Sequence, residues 1–360
     1  MIAWPLNLQS SWLYAKIDPL VRNIIFMKQV SKEKNSKADS NPKIVVIGGG
    51  TGIHSLLRGL KRYTENITAI VSMMDSGGSS GRLRDEFGHL PPGDSRQALI
   101  ALTADERSSI LLRQLFNYRF SKGQGLEGHS FGNLFLTALT DITGGVDKAI
   151  AQAGRLLGIK GKVLPVTLTH SNLIARLEDG TELVGESKID VRDEKPDVPI
   201  DYVYLDPKAY AYPPVVEAIE EADVVVLGPG DLYTSIIPNL LVEGIVEAIN
   251  YSKAKKVYIC NLMTRHGESD GFKANDFTKE IKNYLENGKL DYVVLNKSNF
   301  PEKILKRYAG EKAYPVELDL AACKKLTKNQ IVKDLAAPGN LIRHDEGKIA
   351  RTIIDIAAKS

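Results

Sequence analysis

Only two of the 360 residues are cysteine, Cys260 and Cys323, which leaves no disulfide framework. Cys260 lies in the apolar stretch "KKVYICNL", where a buried free thiol in a reducing, cytoplasmic setting is expected. No uninterrupted apolar run reaches spanning length, so no integral membrane segment is expected. Neither sign of charge dominates: 47 lysines and arginines against 44 acids leave a net charge of +3. Nothing in that balance calls for nucleic acid or an anionic membrane as partner. The six histidines stand far apart, without the His–His or Cys–His spacing that holds a structural metal, and none is expected. Dinucleotide and P-loop fingerprints are also lacking. Counted from Gly48, a G-x-G-x-x-G pattern needs glycine where Ile53 stands, and no lysine follows the glycines.

What is present is an ordinary mixture, 43% hydrophobic and 25% charged, that can bury a large core. Residues 1–42 differ from the rest, being broken by prolines and charges and followed by a polar run. They read as a disordered extension, or as a start assigned too far upstream of Met27. From Lys43 onward strand-like apolar runs alternate with helical stretches, which predicts an α/β fold: a Rossmann-like, mostly parallel sheet with helices on both faces. The expected strands are 44–48, 69–74, 224–228, 257–261 and 292–296. Residues 43–360 are expected to form a single domain. Around Asp179-Gly180 the sequence "LIARLEDGTELVG" carries a hairpin signal, and 162–191 reads as a small antiparallel insertion. "DPKAYAYPPVVEAIEEA" reads as a turn and a helix opened by proline.

Ligands of open parallel sheets collect at the carboxyl ends of the strands, and the polar loops of this chain fall there. The first strand runs into "GGGTG", where nearly bare backbone and a helix start leave N–H groups pointing into one volume suited to a phosphate. After the second, "DSGGSSGRLR" offers Asp75, the Ser76 and Ser79 hydroxyls, Gly78 and Arg82 as anion donors or clamps. "GHSFGN" matches the letters of a nucleophile elbow with Ser130 as nucleophile, but the polar run before it cannot be the strand an elbow needs. His129, Ser130 and Asn133 are read instead as a helix start facing an anion. "LGPGDLYTSIIPNLL" is a further strand-to-helix turn with Gly228, Gly230, Tyr233 and Ser235; Asp231 reads as a cap, and Tyr233 as a base-stacking or a packing residue. "NLMTRHGESDGF" and "IRHD" bring Asn261, Arg265, Glu268, Arg343 and His344 to the same edge.

Together "GGGTG", "DSGGSSGRLR", "PPGDSR", "GHSFGNL", "GPGDLYTSIIPNLL", "NLMTRHGESDGF" and "IRHD" resemble the gluconeogenesis-factor (YvcK-type) proteins of the CofD-like group, from Lys43 to the last helix. The resemblance implies a cytoplasmic regulator needed for growth on gluconeogenic carbon and for cell shape. Its implied ligand is a nucleotide sugar such as UDP-N-acetylglucosamine; a homo-oligomer and a regulatory protein partner are expected. In that reading Gly49, Gly50, Thr51 and Gly52 hold the diphosphate and Arg82 and Arg343 balance it. Asp75 and Asn133 orient ribose or sugar hydroxyls, and the turn from Gly228 to Ser235 closes the far side. The enzymes of the group transfer a phospholactyl unit from a nucleotide-activated donor to a deazaflavin alcohol, and that activity in the same cleft is the alternative, with Asp75 as its catalytic residue. Those enzymes carry paired aspartates where this chain has Asp75-Ser76. Magnesium is therefore not expected as a cofactor, since Asp94 adds a second charge only if its loop folds back.

Overall fold

The strand "IVVIG", Ile44–Gly48, is buried at every residue, as is "VVVL", Val224–Leu227. β-Branched side chains that fill both faces of a strand leave it only one place, the middle of a parallel sheet covered on both sides. The computed structural model, which describes residues 41–104, 107–192 and 195–359, has this arrangement. Seven parallel strands run in the order β10-β9-β8-β7-β1-β2-β3. They are β1 (Ile44–Gly48), β2 (Ile67–Val71), β3 (Lys162–Pro165), β7 (Val224–Leu227), β8 (Lys255–Ile259), β9 (Tyr292–Asn296) and β10 (Asn329–Lys333). The strand order reverses between β1 and β7, and in such sheets that switch point opens a crevice at the carboxyl ends.

A second, antiparallel sheet has the order β5-β4-β6, formed by β4 (Asn172–Leu177), β5 (Glu182–Val184) and β6 (Ile200–Asp206). Its hairpin turns at Asp179-Gly180, where Asp179 Oδ1 accepts from Thr181 N at 2.9 Å and Gly180 takes φ +87°. The antiparallel part differs from the expected 162–191. Lys162–Pro165 pairs with β2 as an edge of the main sheet, and the third antiparallel strand, β6, comes from beyond 191. Short edge strands with alternating burial carry too few residues to reveal their partner. The strand expected at 69–74 ends at Val71, because the Ser72 hydroxyl accepts from Met74 N and draws the chain into a turn. The one expected at 257–261 is Lys255–Ile259, which leaves Cys260 and Asn261 past its end. The proline-opened helix is Pro213–Glu220.

The helix Gly50–Leu60 leaves the first glycine loop and packs along the last one, Glu346–Ala357, with Gly59 at the crossing. Arg58 and Arg62 both reach Glu346, at 3.1 Å each. Pro42–Ser360 is one compact unit; the expectation for the N-terminal extension falls on residues 1–40, outside the described ones. No helix among the described residues is long and apolar enough to cross a membrane.

Candidate functional site

At the switch point the loops after β1 and β7 lie directly on each other. A β-carbon on Gly52 would stand 2.2 Å from Pro229 O and 2.7 Å from Gly230 Cα, so this glycine lets two backbones touch. Gly50 takes φ +61° and has open space before it, the nearest atom to its would-be β-carbon being Ser235 Oγ at 3.6 Å. Gly49, the residue before the helix, supplies no side-chain cap. In front of these loops lies a cleft of about 470 Å³, a volume suited to a ligand of nucleotide size. Its floor is Gly49, Gly50, Thr51, Gly52, Gly230, Asp231 and Ser235. Asn261, Arg265 and neighbours after β8, with Tyr308, Glu311 and Ala313 and with Ile342, Arg343 and His344, line the rest of it.

The charges along these walls are unequally engaged. Arg265 pairs with Asp190 at 2.5 Å and stands beside Glu268, 3.6 Å away. Burial works against its charge, but Asp231, Asp190 and Glu268 hold it protonated, above its usual range. Burial, followed by repulsion from Asp231, pushes the Glu268 carboxyl well above the carboxylate range; it accepts from Tyr233 N and Thr234 Oγ1 at 3.2 and 3.1 Å. The carboxylate oxygens of Asp190, Asp231 and Glu268 lie within 4.8 Å of one another, and the guanidinium of Arg265 is their counter-charge. Burial lowers the His344 pKa to about 4, which keeps the ring neutral. Arg343 stands apart from these: among the described residues its guanidinium has no ion pair or hydrogen bond.

A second polar cluster sits on the β2 side of the glycine loop. Asp94 stands in the first turn of the helix Gly93–Leu102, where its Oδ1 accepts from Gly50 N at 2.8 Å. A β-carbon on Gly49 would lie 2.3 Å from Asp94 Oδ2, and one on Gly93 would lie 2.2 Å from Asp75 Oδ2. Glu186, at the start of the short helix Glu186–Asp190, completes the group through Ser76 N at 3.5 Å. Burial and then the charge of Asp75 raise Asp94 to about 7 and Glu186 to about 8. Asp94 and Glu186 thus stand near Asp75 beside the loop, whereas the three carboxylates that lie within 4.8 Å of one another among the described residues are Asp190, Asp231 and Glu268.

Several expected ligand contacts are instead structural. Tyr233 is 2% exposed and its hydroxyl is bonded to Glu280 at 3.1 Å, so it packs and stacks on nothing in the cleft. Ser130 caps its helix by accepting from Asn133 N, and Asn133 Nδ2 donates to Ser79 Oγ and Ser80 Oγ, each at 3.2 Å. Ser79 Oγ also meets His129 Nδ1 at 3.1 Å, while Arg96 Nε donates to Asn133 Oδ1 at 2.8 Å. All of these residues are buried and bonded to one another. Arg82 donates to Glu127 O at 2.9 Å, away from the cleft walls. Ser76 and Gly78 are likewise outside those walls, Ser76 Oγ accepting from Ser187 N at 3.0 Å. Gly228 takes φ +75° and turns the β7 loop from behind the floor. Asp231 precedes its helix but makes no capping bond with its side chain. Thr51, Gly49, Gly50, Gly52, Gly230, Ser235 and Arg343 do share the cleft. Sequence reading missed Tyr308, Arg192 and Asp190, which belong to no motif and reach the walls only through tertiary folding.

The family model described as 2-phospho-L-lactate transferase CofD matches residues 44–336. The gluconeogenesis factor of Bacillus subtilis is 42% identical over 318 residues, covering 88% of this chain and 98% of that protein. That of Halalkalibacterium halodurans is 44% identical over 314 residues, 87% of this chain and 95% of that one. A crystal structure of a Bacillus halodurans protein, 44% identical, superposes with a TM-score of 0.83 over 88% of this chain and 100% of its own. The glycine loops, the switch-point cleft and these likenesses lead to one conclusion: the chain belongs to the CofD family, among its gluconeogenesis factors.

Proposed function

We propose that the cleft binds a nucleoside-diphosphate sugar of the UDP-N-acetylglucosamine type, and that the protein is a cytoplasmic regulator of gluconeogenic growth and cell shape whose liganded state a protein partner reads. The observation that carries the reading is Arg343: an arginine without a protein partner among the described residues, sharing one cleft with the exposed backbone of Gly50 to Gly52. Gly50 N is held by Asp94, and a diphosphate would take the N–H groups of Thr51 and Gly52 on one side and a bidentate guanidinium on the other. The relatives' name, gluconeogenesis factor, supports a role in sugar supply. The transferase alternative is favoured by a different observation, the carboxylates of Asp75, Asp94 and Glu186 beside the same loop.

Calorimetric titration with UDP-N-acetylglucosamine tests the reading. Arg343→Ala should weaken binding by about 10- to 150-fold, the loss of a charge-assisted contact worth about 1.5–3 kcal/mol. Arg82→Ala, outside the walls, should stay within about threefold of the parent. No binding by the parent, or equal losses in both variants, would remove the diphosphate from this cleft.

A further inference from the structure

A second cavity lies away from the cleft, at the β10 edge of the main sheet. It measures about 360 Å³ and shares no lining residue with the cleft. Lys297, Lys333, Lys348 and Arg351 line it together with Val332, and Asp334 is the acid among its lining residues. These cations come from three separate places in the fold. Lys297 follows β9, Lys333 ends β10, and Lys348 and Arg351 stand one turn apart on the helix Glu346–Ala357.

The protein itself holds most of these side chains in position. Lys297 N donates to Lys333 O at 2.9 Å, which ties together the two segments that carry these lysines. Lys333 Nζ donates to Thr352 Oγ1 at 3.3 Å and lies 3.6 Å from Asp355. Lys348 Nζ donates to Asp334 Oδ2 at 2.9 Å and to Ala336 O at 3.0 Å. Asp334 accepts in turn from Ser298 Oγ, and that bond, followed by Lys348, keeps its carboxyl below the usual carboxylate range. The ammonium group of Lys297 has no ion pair or hydrogen bond among the described residues. Lysines on an edge strand serve to keep it from pairing with another chain. That role asks for charge along the strand; it does not ask for cations from a neighbouring loop and a helix around one cavity.

We infer that this cavity is a second anion site, which takes a small anion of two or more charges, phosphate- or carboxylate-bearing. Several ammonium groups and a guanidinium around one volume answer a multiply charged group rather than a single charge. Side chains already held by Asp334 and Thr352 lose little freedom when an anion arrives. The volume is within the range of small-molecule sites. The site stands independently of the nucleotide reading of the cleft.

Calorimetry on the full chain at low salt tests it, with pyrophosphate and citrate as probes. Arg343→Ala serves as the background, because it weakens the cleft for a diphosphate and leaves the β10 edge untouched. In that background at least one probe should bind, and the tighter of the two names the source of the charge. Adding Lys297→Ala should weaken this binding at least about threefold, and Lys297→Glu at least about tenfold, with the melting temperature unchanged. No binding of either probe in the Arg343→Ala background, or binding that is indifferent to Lys297→Glu, would overturn the site and leave the cleft reading intact. Failure of the parent to bind UDP-N-acetylglucosamine would end the cleft reading alone.

Discussion

Asp94 occupies the place where its charge is hardest to keep, packed against Gly49 and bonded to Gly50 N, with Asp75 close by. Burial first and Asp75 second raise its pKa from 3.8 to about 7. The unfolded chain releases that proton near pH 4 while the folded chain keeps it to about 7, so between these values the folded state binds more protons. Stability from this group is complete below about pH 4 and declines as pH rises to about 7. Asparagine keeps an oxygen for Gly50 N and has no proton to lose. The melting temperature of Asp94→Asn should therefore gain on that of the parent, by a few degrees, as pH is raised from about 5 to about 8. Parallel melting curves across that range would mean that Asp94 ionises freely in the folded protein. The neighbour Glu186, raised to about 8, carries the same sign over a higher range and remains in both proteins.

Between elements, glycines set distances that side chains would forbid. Gly59 stands in the last turn of the helix Gly50–Leu60, where replacing glycine by alanine ordinarily stabilises, by up to about 1 kcal/mol in a helix interior. Here the added β-carbon would lie 2.0 Å from Glu346 O and 2.7 Å from Ala350 Cβ, so the two helices must separate to admit it. That separation also strains the ion pairs of Arg58 and Arg62 with Glu346. Gly59→Ala should accordingly lose about 1–3 kcal/mol in urea unfolding, a sign opposite to its propensity; a gain would mean that the crossing is looser than drawn. Nothing in "SLLRGLKRY" betrays this crossing, because a close approach is a property of two elements and the sequence spells only one. The same limit separates what was legible from what was not. The β1 and β7 runs read directly as strands of a parallel sheet, and the glycines after them as turns at its carboxyl edge, where the cleft lies. The strand Lys162–Pro165, with alternating burial and only 4 residues, did not announce its parallel partner. The serines after β2 looked like anion donors because their hydroxyls were counted without their partners, His129, Asn133 and Ser187. Tyr308 lies in a helix with no buried residue and no motif, so its place in the cleft depends on Ile342, 34 positions away.

At the scale of the whole molecule the question is whether the fold transfers a group or senses a ligand, and the carboxylates beside the glycine loop bear on it most. Asp75, Asp94 and Glu186 carry oxygens of the kind a hard divalent ion binds, but only when ionised, and they are not the three carboxylates that converge within 4.8 Å among the described residues. Burial and mutual repulsion hold Asp94 protonated to about pH 7 and Glu186 to about 8, so an ion entering near neutrality must first displace protons. The other acidic group, Asp190, Asp231 and Glu268, already has Arg265 as counter-charge. Both conditions weaken a metal at neutral pH, and the arginine and backbone of the cleft offer a diphosphate its counter-charge without one. Chelating magnesium at pH 7 should then change the affinity for UDP-N-acetylglucosamine by less than about tenfold, or about 1.4 kcal/mol. On prolonged incubation the nucleotide sugar should also be recovered unconsumed. The opposite result has a recognisable form: magnesium-dependent release of a nucleoside mono- or diphosphate, steeper as pH rises through the range where Asp94 and Glu186 lose their protons, and abolished by Asp75→Asn. That outcome would make the carboxylate cluster the centre of a transferase and reduce the sensing role to a consequence of substrate binding.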